Sequence, residues 1–184
     1  MNEEPNEVVI AKTARWVERV VIGLNLCPFA KAVQVKGLVR YVVSGAVAID
    51  GLLGDLKSEL ERLAATPATE VDTTLLIHPR VLGDFADYND FLAEADDLVA
   101  ELGLEGELQV ASFHPDYCFA ESDAGDAANY TNRSPYPMLH VLREASVSRA
   151  VDAFPEPEKI YERNIETLRA LSVAGIERVL AGDE

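Results

Sequence analysis

The sequence predicts an α/β protein, with a small, mostly parallel sheet of about three strands packed with helices. Three observations lead there. Helix-period and strand-like runs alternate along the chain in the order α-β-α-β-α-β-α-α. At 184 residues, 48% of them hydrophobic, the chain is long enough for one domain with a substantial core and short for two. No low-complexity stretch or linker divides it, so residues 1–184 read as a single domain. Strand–helix–strand succession favours parallel pairing. Because only three strand runs are clear, an α+β sandwich containing an antiparallel strand is the alternative.

Each element has a local reason. Ile10, Ala14, Val17, Val21 and Leu24 step by four and three, predicting an amphipathic helix over 7–26 that Pro28 ends. Residues 38–43 form a β-rich run, the first strand. Asp50 can cap a helix whose inner face is Leu52, Leu53, Leu56, Leu60 and Leu63. The second strand, 71–77, delivers His78-Pro79. A helix over 84–102 places Phe91, Leu92, Ala95, Leu98 and Val99 inward and stops at Gly103. The third strand, 107–113, delivers His114-Pro115. After a long loop, Pro137 is expected to open a helix carrying His140 and Arg143, and Ser146 to cap a short one ending at Phe154. Pro157 opens the last helix, with Ile160, Ile165, Leu168 and Leu171 inward and Gly175 at its end. Residues 1–6 and 176–184 are expected to fray.

Charge narrows the function classes. The net charge of −16 argues against nucleic acid and anionic membrane as partners, and leaves a small-molecule substrate as the expected one. It is uneven: residues 42–130 carry three Lys/Arg against nineteen Asp/Glu, whereas residues 1–41 are net positive. No apolar run reaches the roughly 20 residues of a membrane helix. The acidic N-terminus lacks the features of a signal peptide. Two cysteines, Cys27 and Cys118, make no disulfide framework, so the chain is expected in the cytoplasm with both thiols reduced.

The chemistry-bearing residues gather at two strand ends and in one loop. With parallel strands, His78 and His114 leave the sheet at the same edge, where open α/β sheets bind ligands. Asp116, two residues beyond His114, can fix its tautomer, making His114 a candidate general acid/base with His78 as partner. His140 is a third candidate, three residues from Arg143 on the expected helix. The run Asn129 to Ser134 is wholly hydrogen-bonding, and such a run needs partners or solvent. Within it, Arg133 suits an anionic substrate group, with Asn132, Ser134, Asn129, Tyr136 and Arg143 as further substrate-binding candidates. Residues 121–128 have the composition of a mobile flap. Each candidate also has a plain structural reading: a histidine bonded to a backbone carbonyl, or an arginine paired with a nearby carboxylate.

No glycine-rich phosphate loop, Gly-x-Ser-x-Gly elbow or Cys-x-x-Cys pair occurs, and the cofactor stays open. A divalent metal on His78, His114 and Asp116 or His140 is a variant. Cys27-Pro28-Phe29-Ala30 resembles the Cys-Pro-Phe/Tyr-Cys of glutaredoxins, but it follows a helix rather than a strand and Ala30 replaces the second cysteine. Over nearly the whole chain, the strings GLNLCPFAKAV, DTTLLIHPRVLGDFADYNDFL, LQVASFHPDYCFA and NYTNRSPYPMLHVLREASV resemble a bacterial family catalogued only as a domain of unknown function. That resemblance implies a soluble single-domain protein and brings no activity. The residues themselves suggest a hydrolytic or group-transfer enzyme for a small polar or anionic substrate; the alternative is a non-catalytic ligand-binding or protein-interaction module with structural histidines.

Overall fold

In a computed structural model, which describes residues 4–182, the sheet has four strands in the order β1-β2-β4-β3. These are β1 (Val39–Val43), β2 (Thr73–Ile77), β3 (Leu108–Phe113) and β4 (Met138–Arg143). β1 and β2 are parallel; β4 runs antiparallel to both β2 and β3. The α/β class therefore holds, and the sheet is mixed, with the antiparallel strand placed between two that run together.

β4 is where the expected helix at Pro137 is corrected. Met138, Leu139 and Val141 are all fully buried, because the strand is central and covered on both faces. A strand buried on both sides loses the apolar–polar alternation that identifies strands in sequence. His140 and Arg143 consequently do not share a helical face. Three apart on a strand, they point to opposite sides.

Helices cover both faces. On one lie α3 (Ile49–Ala65) and α4 (Phe85–Glu101), whose buried residues Leu52, Leu56, Leu60, Leu63, Phe91, Ala95 and Val99 recur at helical spacing against Leu76, Leu139 and Val141. The Asp84 carboxylate caps α4 by accepting from the N–H groups of Ala86 (2.9 Å) and Asp87 (3.2 Å). Gly103, at φ +68°, ends the helix by taking the left-handed turn that glycine tolerates.

On the other face lie α1 (Asn6–Trp16), a π-helical segment (Val17–Ile22) and α6 (Ile160–Ala181). Val9, Trp16, Val20, Leu168 and Ile176 pack there against Leu75, Ile77 and Met138. The first helix is thus shorter than its periodicity implies: it widens at Val17, where Gly23 N–H reaches back five residues to Glu18 C=O (3.0 Å). A Cβ at Gly23 would lie 2.1 Å from the Arg19 carbonyl oxygen, so that turn requires glycine. Gly175 does not end α6. Tertiary burial of Ile176 draws the helix on to Ala181, across a kink at Ser172. Of the termini expected to fray, residues 1–3 and 183–184 lie outside the described residues.

Two short helices, α2 (Ala30–Val35) and α5 (Glu144–Ala153), flank this second layer and contribute no fully buried residue.

The ends of β3 and β4 are joined through a side chain. Tyr88 of α4, fully buried, accepts from Phe113 N–H (3.0 Å) and donates to Met138 C=O (2.8 Å), bridging the last register pair of the two strands. Tyr88→Phe leaves a buried N–H and a buried C=O unpaired, for a loss of about 2–3 kcal/mol in denaturant unfolding and a fall in Tm of about 5–10 °C. A loss below about 0.5 kcal/mol would show that the bridge carries no stability.

Candidate functional site

His78 and His114 stand at the carboxyl ends of β2 and β3, both 0% exposed, on either side of Tyr88. The Tyr88 ring lies 5.8 Å from His78 and 5.0 Å from His114. His78 donates from Nδ1 to Val81 C=O (3.0 Å), which leaves Nε2 a buried acceptor with no partner among the described residues. His114 Nδ1 accepts from Asp116 N–H (3.0 Å), so its proton sits on Nε2, facing Leu82 C=O (3.2 Å). The two rings thereby hold consecutive carbonyls of one tight loop, in which Leu82 has φ +57°. Asp116 meets His114 through its backbone; its side chain is exposed and acts on the ring only through space.

Within the polar run, most side chains bind loop backbone. Fully buried Asn129 accepts from Phe119 N–H (3.1 Å) and donates to Asp123 C=O (2.9 Å). Asn132 donates to Ser112 C=O (3.0 Å), and Ser134 to Tyr136 C=O (2.7 Å). The Arg133 guanidinium donates to Tyr117 C=O (3.0 Å) and Ala124 C=O (2.7 Å) and lies over the Tyr130 ring. Tyr136 bonds the Glu4 carboxylate. Residues 121–128 are tied down by these contacts and by a two-bond pair between Arg169 of α6 and Asp126. Arg143 reaches the end of α3, where its Nη2 donates to the carbonyls of Leu63 (2.8 Å), Thr66 (2.5 Å) and Val71 (3.0 Å).

The structure therefore brings His78 and His114 together and places His140 on the opposite face of the sheet. There it lines an apolar cleft of about 340 Å³. The sheet forms the floor, with Val39, Leu75, Ala111, Phe113 and His140 drawn from all four strands. Trp16 and Val21 form one wall, Cys27, Phe29 and Val33 another, and Val147 and Ala150 of α5 close the side. His140 bonds Thr73 Oγ1 through Nε2 (2.7 Å), and the Thr73 hydroxyl donates to Val141 C=O (2.7 Å). The Trp16 indole N–H is buried without a partner among the described residues. At the rim, Ser146 donates to Asp72 (2.6 Å) and accepts from Arg149 (2.9 Å).

Thr73 and Trp16 escape a reading from sequence. Trp16 looks like a core residue of the first helix. Thr73 meets His140 only through the β2–β4 register, where it is a diagonal neighbour (Leu75 lies directly opposite). The period-two pattern Thr73, Leu75, Ile77 is the one signal that could have marked that face. Among the described residues, no group of three or more His, Cys, Asp or Glu side chains is placed to hold a metal ion.

Burial pushes His78 down to about 4, against the partial support of its Val81 bond, and lowers His114 for the same reason. His140, on an apolar floor, is also pushed down to about 4. A folded-state pKa below the unfolded value means that the unfolded chain takes up the proton first. The stability His78 contributes is thus fully present above pH 6.5 and is lost as pH drops towards 4. For His78 the loss over that window is on the order of 3 kcal/mol. Denaturant unfolding between pH 7 and 4.5 should show this decline, with a shallower slope in His78→Gln. An unchanged slope would remove His78 as a contributor.

No curated protein and no solved structure is significantly similar to the chain. A family model described as "Protein of unknown function (DUF1415)" matches residues 8–178, which take in both strand-end histidines, the polar loop and every wall of the cleft. The chain belongs to that family.

Proposed function

We propose that this protein is a ligand-binding module that takes a mostly apolar small molecule into the cleft between the sheet and the helices α1, α2 and α5. One observation carries the reading: the cleft is apolar, about 340 Å³ in volume, and lined by residues, Trp16 among them, whose hydrogen-bonding capacity is not filled among the described residues. That volume falls in the range of small-molecule pockets, and an apolar wall with a few polar groups is their usual make-up. The engagement of His114 and Arg133 with backbone groups supports structural roles for them, as the binding-module reading expects. Among the described residues no helix is long and apolar enough to cross a membrane. The free thiols Cys27 and Cys118 and the charge of −16 support work in the cytoplasm without nucleic acid.

A hydrolytic or group-transfer reaction at the strand ends is the second reading. What favours it is the buried, unpartnered Nε2 of His78. Its test is a panel of ester and phosphate-ester substrates, with turnover lost in His78→Gln.

The cleft can be tested directly, because Trp16 is the only tryptophan and stands in its wall. A screen of uncharged aromatic and alicyclic compounds should yield ligands that change Trp16 fluorescence and raise Tm. At 100 times Kd the stabilisation is about 2.7 kcal/mol. Ala150→Phe, which adds a ring to the cleft from α5, should abolish both signals while leaving the unliganded Tm within a few degrees. Ligands that bind the variant undiminished would place the site elsewhere.

A further inference from the structure

We infer that the group recognised in the cleft is an uncharged hydrogen-bond donor, received by Nδ1 of His140, and that the ligand is a flat aromatic molecule bearing a neutral hydroxyl. This rests on the small-molecule reading of the cleft and adds the chemistry of its occupant.

The hydroxyl proton of Thr73 decides the state of the His140 ring. A threonine hydroxyl has one proton, and Val141 C=O, an acceptor only, takes it at 2.7 Å. Thr73 Oγ1 can then only accept from His140 Nε2, also at 2.7 Å. That fixes the proton of the ring on Nε2. Nδ1 is left with a lone pair. Among the described residues it has no hydrogen-bond partner, and it is not one of the buried polar atoms cut off from solvent. His140 alternates with Leu139 and Val141, which face α3 and α4, so its ring faces the cleft and Nδ1 opens into it.

The surroundings hold the ring in this state. Its neighbours on the floor are Leu75, Ala111 and Phe113, the last with its ring 5.9 Å away. Of the charged groups lining the cleft, Arg143 donates through Nη2 to three carbonyls at the end of α3, its Nε–H is buried away from the cleft space without a partner among the described residues, and Asp72 accepts from the Ser146 hydroxyl. The imidazole is neutral at pH 7, since burial lowers its proton affinity. A carboxylate in the cleft would set lone pairs against the Nδ1 lone pair, in an apolar space that also opposes its charge. A hydroxyl meets that lone pair with a proton. The edge-to-face pair of Trp16 and Phe113, 5.3 Å apart, supplies the aromatic surface a flat ring would contact.

Isothermal titration of the full chain with 2-naphthol, 2-methoxynaphthalene and 2-naphthoate tests this, alongside ¹⁵N NMR of the free protein. The naphthol should bind roughly tenfold more tightly than its methyl ether, the value of one net hydrogen bond, and the naphthoate more weakly than either. In His140→Phe, which keeps the floor apolar, the preference for naphthol over the ether should shrink to within about twofold. The ¹⁵N shifts should show His140 protonated at Nε2 only, a readout that needs no ligand and no variant. A ring protonated at Nδ1, equal binding of naphthol and ether, or tightest binding by naphthoate would overturn the donor assignment while leaving the cleft a binding site. If none of the three binds, or all bind Ala150→Phe undiminished, the small-molecule reading of the cleft falls, and the inference with it.

Discussion

A strand running against both of its neighbours sets the constraints on everything around it. β4 lies between β2 and β3, which run parallel to one another, so the chain leaving β3 must come back along it from the same edge of the sheet. It does so through residues 114–137, where a tight hairpin would use two residues. Closing a loop that long costs about 2 kcal/mol more than closing a two-residue turn. Its backbone polar groups also need partners. The side chains of Asn129, Arg133 and Ser134 supply several of them, and Asn132 ties the loop to β3 through Ser112 C=O, which accounts for the polar run in physical terms. The same edge gathers His78, His114 and Tyr88, and the rings and the hydroxyl there knit two strand ends, one loop and α4 into a single hydrogen-bonded unit.

What could be read from the sequence follows from how one-sided each element is. α3 and α4 bury one stripe each, and Leu52, Leu56, Leu60 and Leu63, or Phe91, Ala95 and Val99, announce it. β2 and β3 were legible from composition and from the histidine-proline pairs that end them. β4 was not, because Met138, Leu139 and Val141 are buried on both faces and carry no period. That single ambiguity also hid the cleft. With His140 assigned to a helix, nothing placed it beside Thr73 or over the floor shared with Leu75 and Ala111. Trp16 was hidden by a different cause: a large apolar residue on an amphipathic helix looks the same from sequence whether it packs in a core or lines a cavity.

Polar side chains in this protein divide by whether their bonding capacity is filled. Arg133, Asn129 and His114 drew attention because they are chemically versatile, yet the fold engages them with backbone groups of the surrounding loops, as far off as Leu82 C=O for His114. Among the described residues, His140 has one ring nitrogen engaged and one without a partner, and Trp16 has an N–H with no acceptor. Chemical type indicates what a residue can do. The partners it already holds indicate what remains available, and that depends on register and packing between segments far apart in the chain.

The sheet also separates two apolar layers, one under α3 and α4 and one under α1 and α6, that meet chiefly through alternate residues of the same strands. Changes in separate layers with no shared partners contribute nearly independently to stability. Under the binding role proposed for the cleft, substitutions at Ala111 or Ala150 change its lining and leave the α3–α4 layer untouched. An engineer can therefore reshape the cleft from one layer without disturbing the packing of the other.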